Sequence, residues 1–352
     1  MPVLYSEQAA DLVNSMEQLA ERRSSRRELL AYLLAVPLCA QRRIEPLIDV
    51  HHHIVPPRYL DQIGTRNIGG PAGRPTAPNW SPQISLEAMD ALGIQTSIVS
   101  ISAPGFPLKD AKALERLVRE SNEFAKQLKT DHPGRFGFFA GMPMPNPRTS
   151  VAEAAYALDV LKADGIGLLT SYDGMYLGNA HFTPFFDELN RRKAVAYVHP
   201  TPCTCSAGVD LGVPPATAEY PHETTRTITS LLFSGTLNRC PDIRFIFSHA
   251  GGTFPFVANR IAGRRDPKVS DGMALVKRLY YDTAQSMNPI AVTALMSFAT
   301  ASQIVFGSDF PFVGRDAVGS GSETLRSLVT DPGSYAKIAS ENAISLFPGL
   351  RA

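Results

Sequence analysis

Cysteine is scarce in this chain of 352 residues: Cys39, Cys203, Cys205 and Cys240 are too few and too unevenly spaced for a disulfide framework or a cysteine-type zinc module. Charge of one sign is lacking as well. The 34 basic side chains face 33 acidic ones, a formal net charge of +1. No global basic field draws phosphate backbones, so no nucleic-acid partner is expected. Long apolar runs are missing too. A membrane span needs roughly 18 uninterrupted apolar residues, and the nearest approach, Leu29–Ala40, has 12. Apolar material itself is plentiful, at 44% hydrophobic against 19% charged, which excludes a disordered chain and supports a sizeable core. At roughly 150 residues per domain, the length suits two domains or one large α/β barrel with additions.

The N-terminal stretch stands apart. Ser24-Ser25-Arg26-Arg27-Glu28-Leu29-Leu30, followed by an apolar run ending in small residues, is similar to a twin-arginine export signal around residues 24–40. It is preceded by Glu7–Arg22, which reads as an amphipathic helix. Two readings therefore stand side by side: a periplasmic protein with an export signal, or a cytoplasmic one whose helical extension packs on the domain or on a partner subunit. Residues 1–45 are expected to form this extension and residues 46–352 the catalytic body.

From Leu47 onward, short β-branched and aromatic runs alternate with stretches of helical period. The expected strands are Leu47–Val50, Ser97–Ser102, Arg135–Met142, Gly165–Thr170, Ala194–Val198, Arg244–Ser248, Leu279–Thr283 and Gln303–Gly307. Between them the pattern predicts helices at Leu86–Leu92, Leu108–Lys129, Val151–Ala163, Pro184–Arg192, Glu223–Asn238, Pro289–Ala299 and Glu323–Val329, with a last one at Ser334–Leu346. Repeated βα units on this scale fit one (β/α)8 TIM barrel better than two domains. Thr65–Pro82 and Thr201–Pro221 are rich in Gly and Pro and read as long loops on the catalytic face, where loops follow strands.

Chemistry concentrates at the strand ends. In Asp49-Val50-His51-His52-His53, side chains two apart point the same way. His51 and His53 then project together into the barrel mouth and His52 turns outward, and a pair of imidazoles so fixed suits a divalent metal. Solvated histidines on a polar strand end would be the bland alternative. The other strand ends weigh against it: Val198-His199-Pro200 closes the fifth apolar run, Ser248-His249-Ala250-Gly251-Gly252 the sixth, and Gly307-Ser308-Asp309-Phe310-Pro311 the eighth. Each puts one potential ligand or proton carrier where the strands of a barrel converge.

Together these motifs resemble the amidohydrolase superfamily, and within it the metal-dependent decarboxylase branch typified by aminocarboxymuconate semialdehyde decarboxylase and the resorcylate decarboxylases. The resemblance runs from about Leu47 to Leu346. It implies one zinc ion per subunit, with manganese as the other choice, bound by His51, His53, His199 and Asp309, with His249 beside it. Leu168-Leu169-Thr170-Ser171 at the end of the fourth run offers no lysine for a second, bridged metal. The resemblance also places Arg260 on a substrate carboxylate across a homodimer interface, a role that suits a planar guanidinium. The rival reading for Arg260 is an exposed helical arginine. Arg66 and Arg74 are weaker candidates for a second carboxylate contact.

Other features read as structural. Phe136-Gly137-Phe138-Phe139 is a buried strand with one ring near the pocket, and Trp80 either caps an aromatic substrate or packs. Glu223 opens a helix, where its charge suits the dipole, and Cys203 and Cys205 are loop residues. The implied reaction is non-oxidative decarboxylation of an aromatic or unsaturated carboxylic acid, with Asp309 and His249 delivering the proton. A hydrolase acting on a lactone or amide would use the same ligands, and a silent barrel would be expected to lack one of them.

Overall fold

The computed structural model describes residues 46–68, 77–202 and 211–351. The readings made on residues 1–45, on Arg74 and on Cys203 and Cys205 lie outside the described residues. Among those described, no helix is long and apolar enough to cross a membrane.

Eight parallel strands form one sheet in sequence order: β1 (Leu47–His53), β2 (Ile94–Ser100), β3 (Phe136–Ala140), β4 (Gly165–Leu169), β5 (Val195–His199), β6 (Arg244–Phe247), β7 (Tyr280–Asp282) and β8 (Ile304–Val305). All eight coincide with the apolar runs of the sequence to within a few residues at each end. Helices run between the strands, so the architecture is a (β/α)8 barrel. The sheet closes on itself: Val50 donates to the Phe306 carbonyl at 2.9 Å, Asp309 to that of His51 at 2.8 Å and His53 to that of Phe310 at 2.7 Å. Closure thus carries the segment after β8 alongside the histidines of β1.

Asp49 holds that seam. It is fully buried. Its Oδ1 accepts from the backbone N–H groups of His51 and Ser308, each at 3.0 Å, and its Oδ2 accepts from the Ser308 hydroxyl at 2.6 Å and lies 3.1 Å from His52 Nδ1. His52, turned outward as the strand period requires, reaches Ser85 on helix Pro82–Leu92 through Nε2 at 2.9 Å. Gly307 is forced by the same closure, because a Cβ there would sit 2.8 Å from His51 Cβ.

Some elements differ from the sequence pattern, each for a local reason. A helix, Pro57–Ile63, not expected from the sequence pattern, precedes the expected loop Thr65–Pro82, and a single turn, Thr65–Asn67, opens that loop. The helix starts on Pro57, a residue favoured in a first turn. The helix expected from Glu223 begins eight residues earlier, at Pro215, and runs to Phe233 through Pro221. Glu223 therefore does not sit in a first turn. It is buried in the helix interior and paired with Arg226 at 2.5 Å. Pro221 costs the helix the backbone bond that an N–H there would donate to Thr217, and its own carbonyl accepts from Thr225 Oγ1 at 2.9 Å and from Thr253 N at 3.2 Å. Gly252 docks on it: a Cβ there would meet that carbonyl oxygen at 2.0 Å. The helix expected at Glu323–Val329 starts at Arg315, because Gly319 and Gly321 lie within it and hide its period. The last helix carries a π turn at Lys337–Glu341.

Removing the seam carboxylate leaves buried donors unmatched. Asp49→Ala is expected to cost about 3 kcal/mol or more, read as a lower urea midpoint, whereas an unchanged midpoint would contradict the role given to Asp49.

Candidate active site

At the carboxyl ends of the strands, the structure brings His51, His53, His199 and Asp309 into one buried group whose ligand atoms lie within 4.8 Å of one another. The alternation of β1 aims His51 and His53 inward together, and β5 ends on His199. Asp309 arrives by barrel closure, in a left-handed conformation with φ of 60°. His51 Nε2 and His53 Nε2 are 3.0 Å apart, and each faces Asp309 Oδ1, at 3.2 and 3.1 Å. His199 Nδ1 is engaged by the Pro200 carbonyl at 2.8 Å, which leaves Nε2 for the group.

These spacings fit a cation. Two donors about 2.1 Å from one ion and at right angles lie about 3.0 Å apart. Three imidazoles and a carboxylate, all buried, are also a donor set that divalent transition metals favour. The electrostatics point the same way. Burial disfavours charge on His51, but Asp282 and Asp309 outweigh it and raise its pKa to about 10. Burial lowers the pKa of His53, and burial with the neighbouring histidines holds His199 well below the ordinary imidazole value. Burial alone would raise Asp309; the charge of His51 and hydrogen bonds from His249, His51 and His53 override it and keep the carboxyl well below the usual range. His53 and His199 are thereby disposed to the neutral form, in which an imidazole offers a lone pair to a metal, and Asp309 to the carboxylate.

The two oxygens of Asp309 serve different partners. Oδ1 faces His51 and His53, while Oδ2 lies 3.4 Å from His249 Nε2 and accepts from Gln285 Nε2. His249 is buried, and its Nδ1 has no hydrogen-bond partner among the described residues. It opens a run of positive φ values, 54°, 57°, 76° and 67° for His249, Ala250, Gly251 and Gly252. That run explains the paired glycines of the motif, since such angles cost other residues free energy.

A cavity of about 920 Å³ opens beside His199 over β2 to β5. Ile101, Phe106, Leu108, Met142, Leu168 and Leu169 make much of its wall apolar. Phe139 lines it as well and stacks on Tyr197 at 4.8 Å, which accounts for one ring of the aromatic third strand. Trp80 is engaged elsewhere, donating to Ser85 at 2.9 Å and packing on Phe124, so it belongs to the scaffold. Arg260 lies in the last turn of helix Phe254–Ala262, is exposed, and is not among the residues lining the cavity of its own chain. Arg66 is likewise exposed.

Sequence reasoning missed Asp282 and Gln285. Asp282 closes the seventh apolar run as the named histidines close theirs, so the strand-end rule applied there would have found it. Gln285 enters through a turn with φ of 52°, for which glutamine carries no signal.

The class this barrel and site define is matched by known proteins. The family model described as amidohydrolase matches residues 48–349, and the chain belongs to that family. It is 38% identical over 322 residues to decarboxylase yanB of Aspergillus niger, covering 86% of this chain and 87% of that one. It is also 36% identical over 320 residues to 6-methylsalicylic acid decarboxylase acuB of Aspergillus aculeatus, covering 86% of this chain and 96% of that one. A crystal structure described as an amidohydrolase II superposes with a TM-score of 0.79 at 27% identity, over 86% of this chain and 99% of that one.

If the buried group holds a metal, dialysis against a strong chelator is expected to lower the melting temperature, and returning zinc or manganese to restore it. An ion at 100 times its Kd stabilises by about 2.7 kcal/mol. The same addition to His51→Ala or Asp309→Ala is expected to give a much smaller rise. An equal rise in those variants would place the metal elsewhere.

Proposed function

We propose that this chain is a metal-dependent, non-oxidative decarboxylase of an aromatic carboxylic acid, a carboxy-lyase whose substrate class is the ortho-substituted salicylates typified by 6-methylsalicylate. The observation that carries the reading is the apolar cavity opening from His199 beside a buried three-histidine, one-aspartate group. A flat ring with an alkyl substituent fits such walls, and the names carried by relatives at more than one-third identity point to the same class.

His51, His53, His199 and Asp309 are assigned as ligands of one zinc or manganese ion per subunit. When bound, that ion supplies Lewis-acid polarisation of the substrate's oxygens. His249 is assigned as the proton donor. As the bond between ring carbon and carboxylate breaks, its electron pair stays on the ring carbon, the proton of His249 passes to that carbon and carbon dioxide leaves. Asp309 Oδ2, 3.4 Å from His249 Nε2, orients the imidazole for the transfer. The imidazole then regains a proton from water. The apolar wall excludes bulk water from the ring carbon, so the proton comes from a positioned group.

Arg260 is assigned to a substrate carboxylate in the partner subunit of a homodimer. Its own helix carries Phe256, which is 69% exposed, and the neighbouring helix Pro289–Phe298 carries Ile290, which is 74% exposed. Such side chains beside an arginine suit a subunit contact. The body that catalyses is residues 46–352.

Two measurements test this reading. Carbon dioxide release is expected from 6-methylsalicylate and related hydroxybenzoates, and hydrolysis of lactones without carbon dioxide would contradict it. Mixing inactive His51→Ala with inactive Arg260→Ala subunits is expected to restore about a quarter of native activity, because half of randomly paired dimers contain one intact site out of two. No recovery would remove Arg260 from the partner's site.

A further inference from the structure

Asp282 is fully buried at the end of β7, and each of its oxygens is engaged by groups that serve the site. Oδ2 lies 2.8 Å from His51 Nδ1 and accepts from the Tyr197 hydroxyl at 3.4 Å. Oδ1 accepts from the backbone N–H of His249 at 2.9 Å and of Ala284 at 3.0 Å. We propose that Asp282 is the positioning residue that fixes His51 and His249 relative to each other, so that one carboxylate sets both the metal centre and the proton donor. This rests on the metal and proton assignments made above.

The chemistry of each arm is specific. A carboxylate only accepts, so it holds the proton of His51 on Nδ1 and turns Nε2, as a lone pair, toward His53 and Asp309. The second arm holds a backbone. His249 sits at φ of 54°, a conformation that costs free energy in a residue with a Cβ. In that conformation its N–H reaches Asp282 Oδ1 while its side chain faces Asp309 Oδ2. Gly307 leaves room for this carboxylate: a Cβ there would lie 3.1 Å from Asp282 Cβ and Cγ, so a larger residue would crowd it.

Asp282→Asn separates positioning from bulk, because the amide fills the same space. Its NH2 group would donate to His51 Nδ1, move the His51 proton to Nε2 and block the ligand position. Competition with a chromogenic chelator at fixed pH is expected to show zinc affinity about 10- to 100-fold below native, with near-native far-ultraviolet circular dichroism. At saturating zinc, kcat on 6-methylsalicylate is expected to fall about tenfold. In a His249→Ala background the same substitution is expected to cost less, because the two residues act together.

Zinc affinity in folded Asp282→Asn within twofold of native would overturn the proposal, as would kcat losses that add fully with His249→Ala. Native protein that binds no zinc would instead overturn the metal assignment on which the proposal rests, and the proposal with it. Should Asp282→Asn fail to fold, native protein labelled with 15N at histidine supplies the readout. With zinc bound, the His51 imidazole, assigned by the signal missing from His51→Ala, is expected to keep a slowly exchanging proton on Nδ1, and free exchange at that position would contradict the proposal.

Discussion

The closing of the barrel between β1 and the segment after β8 is the constraint on which the site depends. Three backbone hydrogen bonds make that closure, and Asp49 locks it with four interactions from one buried carboxylate. Without it, His51 and His53 would face an empty seam and Asp309 would belong to a surface loop. Asp49, Gly307 and Ser308 do not belong to the group of potential ligands. They are the reason its members are held within a few ångströms of one another.

The polar parts of the site divide across the barrel in a way that suits its chemistry. The carboxylates Asp282 and Asp309 lie on β7 and just after β8, between the imidazoles of β1 and the loop carrying His249. The side formed by β2 to β5 is an apolar wall. On the function proposed above, a ring held against that wall would direct its carboxyl group toward His199 and the imidazoles beside it. One carboxylate, Asp309, is shared between the histidine group and His249, so a single residue links the two. Burial raises the cost of any misplacement, because an unpaired charge there has no water to relax into.

Much of this was legible in the sequence for physical reasons. Alternation along β1 is a property of extended backbone, so His51 and His53 had to share a face and His52 the other. The strand-end positions of His199, His249 and Asp309 followed from apolar runs that stop at a polar residue. What stayed hidden depended on contacts distant in sequence. Nothing near Asp49 shows that its partners are Ser308 and His52, and nothing near Glu223 shows that its helix starts at Pro215 and tolerates Pro221. The Pro221 carbonyl accepts from Thr253 N on another element, a contact that no local pattern announces. Arg260 was singled out by resemblance, and its exposure within one chain agrees with action on a neighbouring subunit or with none. Asp282 was readable and overlooked, while Gln285 was not readable at all.

The central claim is that one cation binds where three imidazole nitrogens and one carboxylate oxygen converge. Anomalous X-ray diffraction at the zinc edge, on crystals of zinc-loaded protein, tests it directly. The account predicts one strong peak per subunit, about 2.1 Å from Nε2 of His51, His53 and His199 and from Oδ1 of Asp309. A peak bound elsewhere, or none in protein shown to contain stoichiometric zinc, would contradict it.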